Sequence, residues 1–354
     1  MKNLWKVTAS ELRIWYCFSG GIRMKTLGKD ILWGFIMGFL VPGVMLNFAA
    51  AVLLSSSGTQ PHKHIPSEGK ETEPTQFETV SEMVYIPVLV DDGQIMDMEL
   101  NEYLEGVLLA EMPAYFEMEA LKAQSVVART YTLKSASGGK HPGAAVCTRS
   151  ACCQAYVDPD EYGGTAEDLQ KIQQAVEATS GMVLTYDGEL IEATYFSCSG
   201  GRTEDAAAVW GTDFPYLRSV ESPGEEAASH YSDTITFGKS DFASALGVSS
   251  AYNPLIGIAT YTSGGGIAQI TIGGETFSGV QLRQLLGLRS TVITMQEGTD
   301  SITITTMGFG HRVGMSQYGA DAMAATGSSC AEILAHYYQG TEIQRNDPFD
   351  ETGS

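Results

Sequence analysis

The stretch LEGVLLAEMPAYFEMEALKAQSVVARTYTL, residues Leu104–Leu133, holds two helical patterns separated by a break. Leu100–Ala110 places Leu104, Val107 and Leu108 at helical spacing, with the acid Glu102 in the first turn. Pro113 ends this pattern, because proline lacks the donor that would continue the ladder. A longer helix is expected from Tyr115 to Ser137. Phe116, Ala120, Ala123, Val127 and Ala128 suit its buried side, and Gly138 with Gly139 suits its stop. Glu111 falls in the break between the two helices.

The flanking segments supply the rest of the fold. Met83–Val90 alternates like a strand and runs into Asp91, Asp92 and Gly93. Thr165–Gly181 reads as a third helix, with Thr165 and Asp168 as a capping box and Leu169, Ile172 and Val176 as its apolar stripe. Met182–Tyr186 and Leu190–Phe196 flank Asp187, Gly188 and Glu189, a hairpin signal. Residues 255–306 are rich in Ile, Thr, Val and Gly and read as strands around one short helix, Gly279–Leu286. Met315–Ala325 and Ser329–Tyr338 close the pattern as terminal helices, and a polar tail, 344–354, is expected to be disordered. Helices mixed with antiparallel hairpins predict an α+β fold in one large or two intimately packed lobes.

Charge organises the N-terminal part. The chain of 354 residues carries 21 basic and 42 acidic residues, a net charge of −21. So acidic a protein lacks the basic surface that phosphate backbones demand, which excludes nucleic acid as a partner. Residues 1–30 run against that trend with Lys2, Lys6, Arg13, Arg23, Lys25 and Lys29 against Glu11 and Asp30. The uncharged Ile31–Leu54 follows, long enough for a hydrocarbon core that takes about 20 residues. The expectation is a cytoplasmic segment at 1–30, a transmembrane helix at 31–54, a flexible linker at 55–82 and an extracytoplasmic domain at 83–343. A cleaved signal peptide is the competing reading. The apolar run is longer than an ordinary signal core, and no small-x-small cleavage site stands out.

Two constellations carry chemistry. Glu111 lies at a helix break. Lys122 and Arg129 are seven residues apart and share a helix face, two cations in an acidic domain. The bland alternative is a surface carboxylate with two solvated cations. The second constellation is HPGAAVCTRSACCQAY, in which His141, Cys147, Cys152 and Cys153 supply three thiols and an imidazole, a closed tetrahedral zinc set. A disulfide of Cys147 and free thiols are the alternatives. With four protein ligands the metal has no open position for an activated water, which favours one structural zinc per chain.

AEMPAYFEMEALKAQSVVART resembles the signature of the stage II sporulation protein D family and the related amidase-enhancer proteins. The resemblance continues in Tyr195–Pro223, Ser278–Thr291 and Gly308–Ile343, and so covers roughly residues 84–343. It implies a peptidoglycan lytic transglycosylase. Such an enzyme cuts between N-acetylmuramic acid and N-acetylglucosamine and leaves an anhydro sugar, here during septal remodelling and engulfment in sporulation. It also implies that Glu111 is the catalytic acid and that Ser199, His311 and Gln317 line the groove. His311 reads equally as a core histidine. Tyr195, like Trp210 and Tyr318, suits sugar recognition. Lys122 and Arg129 match basic residues of the motif and are assigned to sugar or muramoyl-carboxylate binding. Cys152 stands where the family commonly has His. The implied partners are a membrane-anchored amidase and a membrane scaffold protein. A non-catalytic wall-binding activator of an amidase is the alternative. A zinc amidase fits poorly, since no HExxH pair is present.

Overall fold

The chain enters the fold as an antiparallel hairpin. β1 (Tyr85–Leu89) pairs with β2 (Ile95–Glu99) from Tyr85 opposite Glu99 to Leu89 opposite Ile95. The computed structural model describes residues 83–91 and 93–345. The apolar run at 31–54 and the linker at 55–82 therefore lie outside the described residues. Among the described residues no helix is long and apolar enough to cross a membrane.

Glu99 ends β2 and caps α1 (Leu100–Glu111), its carboxylate accepting the Glu102 N–H at 2.8 Å. Met112 then turns extended ahead of Pro113. α2 (Met118–Gly138) begins three residues later than the periodicity predicts. The Phe116 N–H donates to the Pro113 carbonyl, which holds Tyr115 and Phe116 in a turn, and Glu117 becomes the N-cap. Gly139 stops the helix at φ 63°, a conformation open to a residue without Cβ.

The rest of the larger core is laid around α2. β3 (Val146–Cys147) runs parallel to β1. α3 (Ala166–Ala178) starts from the Thr165–Asp168 capping box that the sequence predicts, and ends at Thr179 rather than Gly181. β4 (Met182–Tyr186) and β5 (Glu189–Leu190) form the expected hairpin, but its second arm stops early. β6 (Tyr195–Phe196) pairs elsewhere. β7 (Gly201–Arg202), the short α4 (Ala206–Trp210) and β8 (Glu221–Ser222) follow, with β7 and β8 antiparallel.

A second core begins at β9 (Ser232–Gly238) and α5 (Lys239–Leu246), neither of which stands out in the sequence. β10 (Ile256–Tyr261), β11 (Ile267–Ile272) and β12 (Glu275–Phe277) make one antiparallel sheet. The predicted α6 (Gly279–Leu286) follows. β13 (Val292–Glu297) and β14 (Ser301–Met307) join β9 in the order β13-β14-β9. β14 buries Ile302, Ile304 and Thr306 in strict alternation, and these isoleucines meet Phe242, Leu246, Leu282 and Leu286.

The chain returns to the first core through β15 (Met315–Ser316), which pairs parallel with β6, and so α7 (Gln317–Ala325) starts two residues after Met315. Ser316 caps it. α8 (Cys330–Tyr337) and β16 (Glu342–Arg345) complete the chain, β16 pairing antiparallel with β4. Gln344 and Arg345 are thus strand residues rather than tail. α2 packs against α1, α3, α7, α8 and β4. It is buried on most of its circumference through Ala120, Ala123, Val126, Val127 and Ala128, residues small enough for helices on several sides. The class is α+β with small sheets, most of them antiparallel, in one compact unit with two apolar clusters.

Candidate active site

Glu111 is the last residue of α1, half-buried where the helix gives way to Met112 and Pro113. Its Oε1 accepts the Ala155 N–H at 2.7 Å. Burial raises its pKa above the ordinary glutamate value, opposed by Ala155, Gln317 and Tyr195. The net effect favours the protonated acid.

The segment that holds Glu111 is itself held against α1. The Val157 N–H donates to the Gly106 carbonyl at 3.1 Å, and the Tyr156 ring stacks on Tyr103 at 5.7 Å. A Cβ on Gly106 would stand 2.2 Å from Tyr156 Cε2 and 2.6 Å from the Val157 oxygen, so glycine is required there. Gln154 is buried. Its amide nitrogen donates to Thr132 Oγ1 at 2.9 Å, and its oxygen accepts the Tyr195 hydroxyl at 3.2 Å. Tyr195 is thereby fixed beside the carboxylate.

A cleft of about 280 Å³ opens over the acid. It is lined by Glu111 with Leu109, Met112 and Pro113, by Phe116, Tyr162 and Tyr318, and by Ser197, His230 and Gln317. Phe116 and Tyr318 meet edge to face at 4.9 Å. Glu111 is the only carboxylate among the described residues that line it. Gln317 Nε2 is buried without a hydrogen-bond partner, although the amide lies close enough to favour the Glu111 carboxylate. A buried donor left open in a cleft suits a ligand oxygen.

The other residues singled out in the sequence lie elsewhere. Arg129 is 1% exposed. Its guanidinium donates to the Thr179, Met182 and Val176 carbonyls and to Asn101 Oδ1, and burial pushes its pKa down to about 10. This corrects its assignment to substrate. It caps the C-terminal end of α3 and ties it to α1 and β4. Lys122 pairs with Glu119 at 2.7 Å, and the other Glu119 oxygen accepts the Cys330 N–H, so its charge is spent at the α2–α8 contact and not in the cleft. Ser199 is fully buried, its hydroxyl donating to Glu225 Oε2 at 2.8 Å. Glu225 also accepts from the Ser199 and Gly200 N–H groups and from the Ser222 and Ser316 hydroxyls, a buried hub behind the cleft. His311 packs between Phe196 and Trp210, accepts the Val313 N–H at 3.2 Å, and has its pKa pushed down by burial to about 4. It is a loop-holding histidine and does not line the cleft. His230 and Tyr162 line the cleft without any sequence motif pointing to them.

The metal constellation does assemble. The Cys152 and Cys153 N–H groups both donate to the Arg149 carbonyl at 2.9 Å, which folds a tight knuckle facing His141. His141 Nε2 lies 3.2 Å from Cys153 Sγ and 3.6 Å from Cys152 Sγ. The donor atoms of His141, Cys147, Cys152 and Cys153 all lie within 4.8 Å of one another. Tetrahedral zinc bonds would set such atoms about 3.5–3.8 Å apart, so the set fits a metal with slight contraction. The cysteines are free rather than paired.

Comparison with known proteins places these features in a family. A family model described as stage II sporulation protein matches residues 91–186. Stage II sporulation protein D of Bacillus amyloliquefaciens is 38% identical over 327 residues, 89% of this chain and 94% of that protein. The protein of the same name from Bacillus subtilis (strain 168) is 38% identical over 88% of this chain and 93% of its own. The amidase enhancer of Bacillus subtilis (strain 168) is 31% identical over 68% of this chain and 40% of its own length. With Glu111 and the thiol knuckle inside the residues the family model matches, and with relatives 38% identical over most of its length, the chain belongs to the stage II sporulation protein D family.

Proposed function

We propose that the chain is a peptidoglycan lytic transglycosylase acting in sporulation, with Glu111 as its single acid and base. The observation that carries this reading is Glu111 itself, a carboxyl group whose pKa burial raises and the only carboxylate among the described residues that line its cleft. Ordinary glycosidases use two carboxylates. One suffices when the sugar supplies its own nucleophile. Glu111 gives its proton to the glycosidic oxygen as the bond from C1 of the muramoyl residue breaks. The resulting carboxylate takes the proton of the C6 hydroxyl as that oxygen bonds to C1, closing the anhydro ring and restoring the acid. The Ala155 N–H fixes Oε1, which leaves Oε2 to carry the proton. Gln317 offers its free amide to the sugar.

The thiol knuckle would hold one structural zinc through His141, Cys147, Cys152 and Cys153. Its role lies in folding, since the knuckle leads directly into Gln154 and Ala155. An anchor at Ile31–Leu54, with the domain outside the cytoplasm, belongs to the same proposal, as do a membrane-bound amidase and a membrane scaffold protein as partners.

A wall-binding activator of an amidase is the second reading, favoured by the relative named amidase enhancer. Mass spectrometry of glycan strands stripped of peptides, after incubation with the protein, separates the two. Anhydro-muramoyl ends are expected. Intact strands, with stimulation of an added amidase, would favour the activator.

A further inference from the structure

Gln154 does not line the cleft, yet it is 1% exposed and sets the direction of a hydrogen-bond chain that ends beside Glu111. The Thr132 hydroxyl donates to the Ala128 carbonyl, one turn back on α2, at 2.8 Å. Its proton is committed there, so toward Gln154 it can only accept. The Gln154 nitrogen therefore faces Thr132 at 2.9 Å, with the Tyr103 oxygen also in reach at 3.4 Å. That turns the amide oxygen to Tyr195, whose hydroxyl donates to it at 3.2 Å. The next residue, Ala155, holds Glu111 through its N–H. Tyr195 lies beside the same carboxyl group, close enough to favour its ionised form. A phenol has one proton. That proton cannot go to Gln154 and to a Glu111 carboxylate at once.

We propose that Gln154 is a positioning residue for the reaction: its amide oxygen holds the Tyr195 hydroxyl proton while Glu111 is neutral, and releases it to the carboxylate that forms once Glu111 has protonated the glycosidic oxygen. This rests on the reading of Glu111 as the acid. No bond to hydrogen breaks in the exchange, since the O–H only turns about the ring carbon–oxygen bond. Tyr195 alone favours the carboxylate, and Gln154 competes with Glu111 for the same hydroxyl. Gln154 thus opposes early loss of the Glu111 proton and leaves Tyr195 free to steady the charge afterwards. The groups that face Glu111 are the Ala155 N–H, Gln317 of α7 and Tyr195 of β6, none of them charged. The other titratable groups lining its cleft are Tyr162, His230 and Tyr318. They stay in every variant below, so their influence cancels in the comparison.

The test follows the Glu111 proton in two ways, with full-length wild type, Gln154→Met, Tyr195→Phe and the double variant. One is the pH profile of anhydro-muramoyl release from peptide-free glycan strands. The other is the carboxylic C=O stretch of Glu111, read as the infrared difference between each protein and its Glu111→Gln counterpart. Gln154→Met keeps the volume and loses the acceptor. It should move the loss of rate and the infrared midpoint to lower pH, so that the rate on the alkaline limb falls about 3- to 10-fold, the worth of one hydrogen bond. Tyr195→Phe should move both to higher pH, and adding Gln154→Met to it should move them no further. Thr132→Val, which keeps Gln154 but no longer orients its amide, should act like Gln154→Met with a smaller shift, and serves if Gln154→Met does not fold. A purely structural role lowers the rate by the same factor at every pH. That result, an unmoved infrared midpoint, or an equal shift in the Tyr195→Phe background overturns the proposal. If wild type releases no anhydro ends while the infrared midpoints shift as stated, the glycan reading falls and the coupling of Gln154 to Glu111 through Tyr195 stands.

Discussion

At Glu111 the opposing influences are burial, which favours the neutral acid, and the Ala155 N–H with the nearby Gln317 and Tyr195 side chains, which favour the carboxylate. Burial prevails, so the native state binds this proton more tightly than the unfolded chain. The sign follows from linkage: native stability falls as pH rises from the ordinary glutamate value of 4.5 toward the raised one. Glutamine at this position has no proton to lose and still accepts from Ala155. Glu111→Gln is therefore expected to melt at a higher temperature than wild type at neutral pH. The gap should close as pH falls through the ordinary glutamate range, and thermal melts across that span check it. Catalysis should depend on the same group in the same direction, with the rate lost as pH rises through the raised pKa. The position of Glu111 was legible because proline marks the helix end beside it. The fates of Lys122 and Arg129 were not. A seven-residue spacing says that two side chains share a face, but not what covers that face, and α3 covers Arg129 alone.

Between elements, the site depends on close approach. Gly106 lets residues 155–157 lie on α1, and alanine there must push Tyr156 away. Gly106→Ala is expected to cost about 1–3 kcal/mol by overpacking and to lower activity as the Ala155 N–H leaves Glu111. Denaturant melts and product assays on the same preparation check both. Arg129→Ala orphans the carbonyls at the end of α3 and should cost about 3 kcal/mol or more. Lys122→Ala removes a partly exposed pair and should cost about 1 kcal/mol at most. Comparable losses in both would contradict the structural assignment of Arg129. Periodicity predicted α1, α2, α3, α6, α7 and α8 because each buries a stripe or carries a cap. It missed β9, whose side chains are mostly exposed, and β16, whose polar residues pair through their backbones.

Across the whole molecule, the Gly264–Gly266 turn between β10 and β11 is pinned to the loop that leads into β15. Arg312 and Glu204 pair at 3.2 Å, each 1% exposed. Arg312 also donates to the Ser199 and Gly264 carbonyls, and Glu204 accepts from Thr262 and Gly266. Removing one partner of so buried a pair strands the other, so Arg312→Ala should cost about 3–5 kcal/mol. The knuckle is the other global fastening. The protein should carry close to one zinc per chain, and Cys147→Ser should lose it together with a large part of the stability. A metal-free protein of full stability would refute that assignment. Cysteine spacing made the knuckle legible, whereas the Arg312–Glu204 pair, 108 residues apart, has no local pattern to betray it. His230 escaped for the same reason, since only the fold brings it to the cleft.

The central claim is that Glu111 alone moves the proton. The most direct measurement compares wild type and Glu111→Gln on peptide-free glycan strands, counting anhydro-muramoyl ends by mass spectrometry while glycan binding and thermal melts are followed in parallel. The account predicts unchanged binding, a fold at least as stable, and product release reduced by about 10² to 10⁴-fold, since among the described residues no second carboxylate lines the cleft to replace it. Release of anhydro-muramoyl ends at the wild-type rate by Glu111→Gln would contradict it.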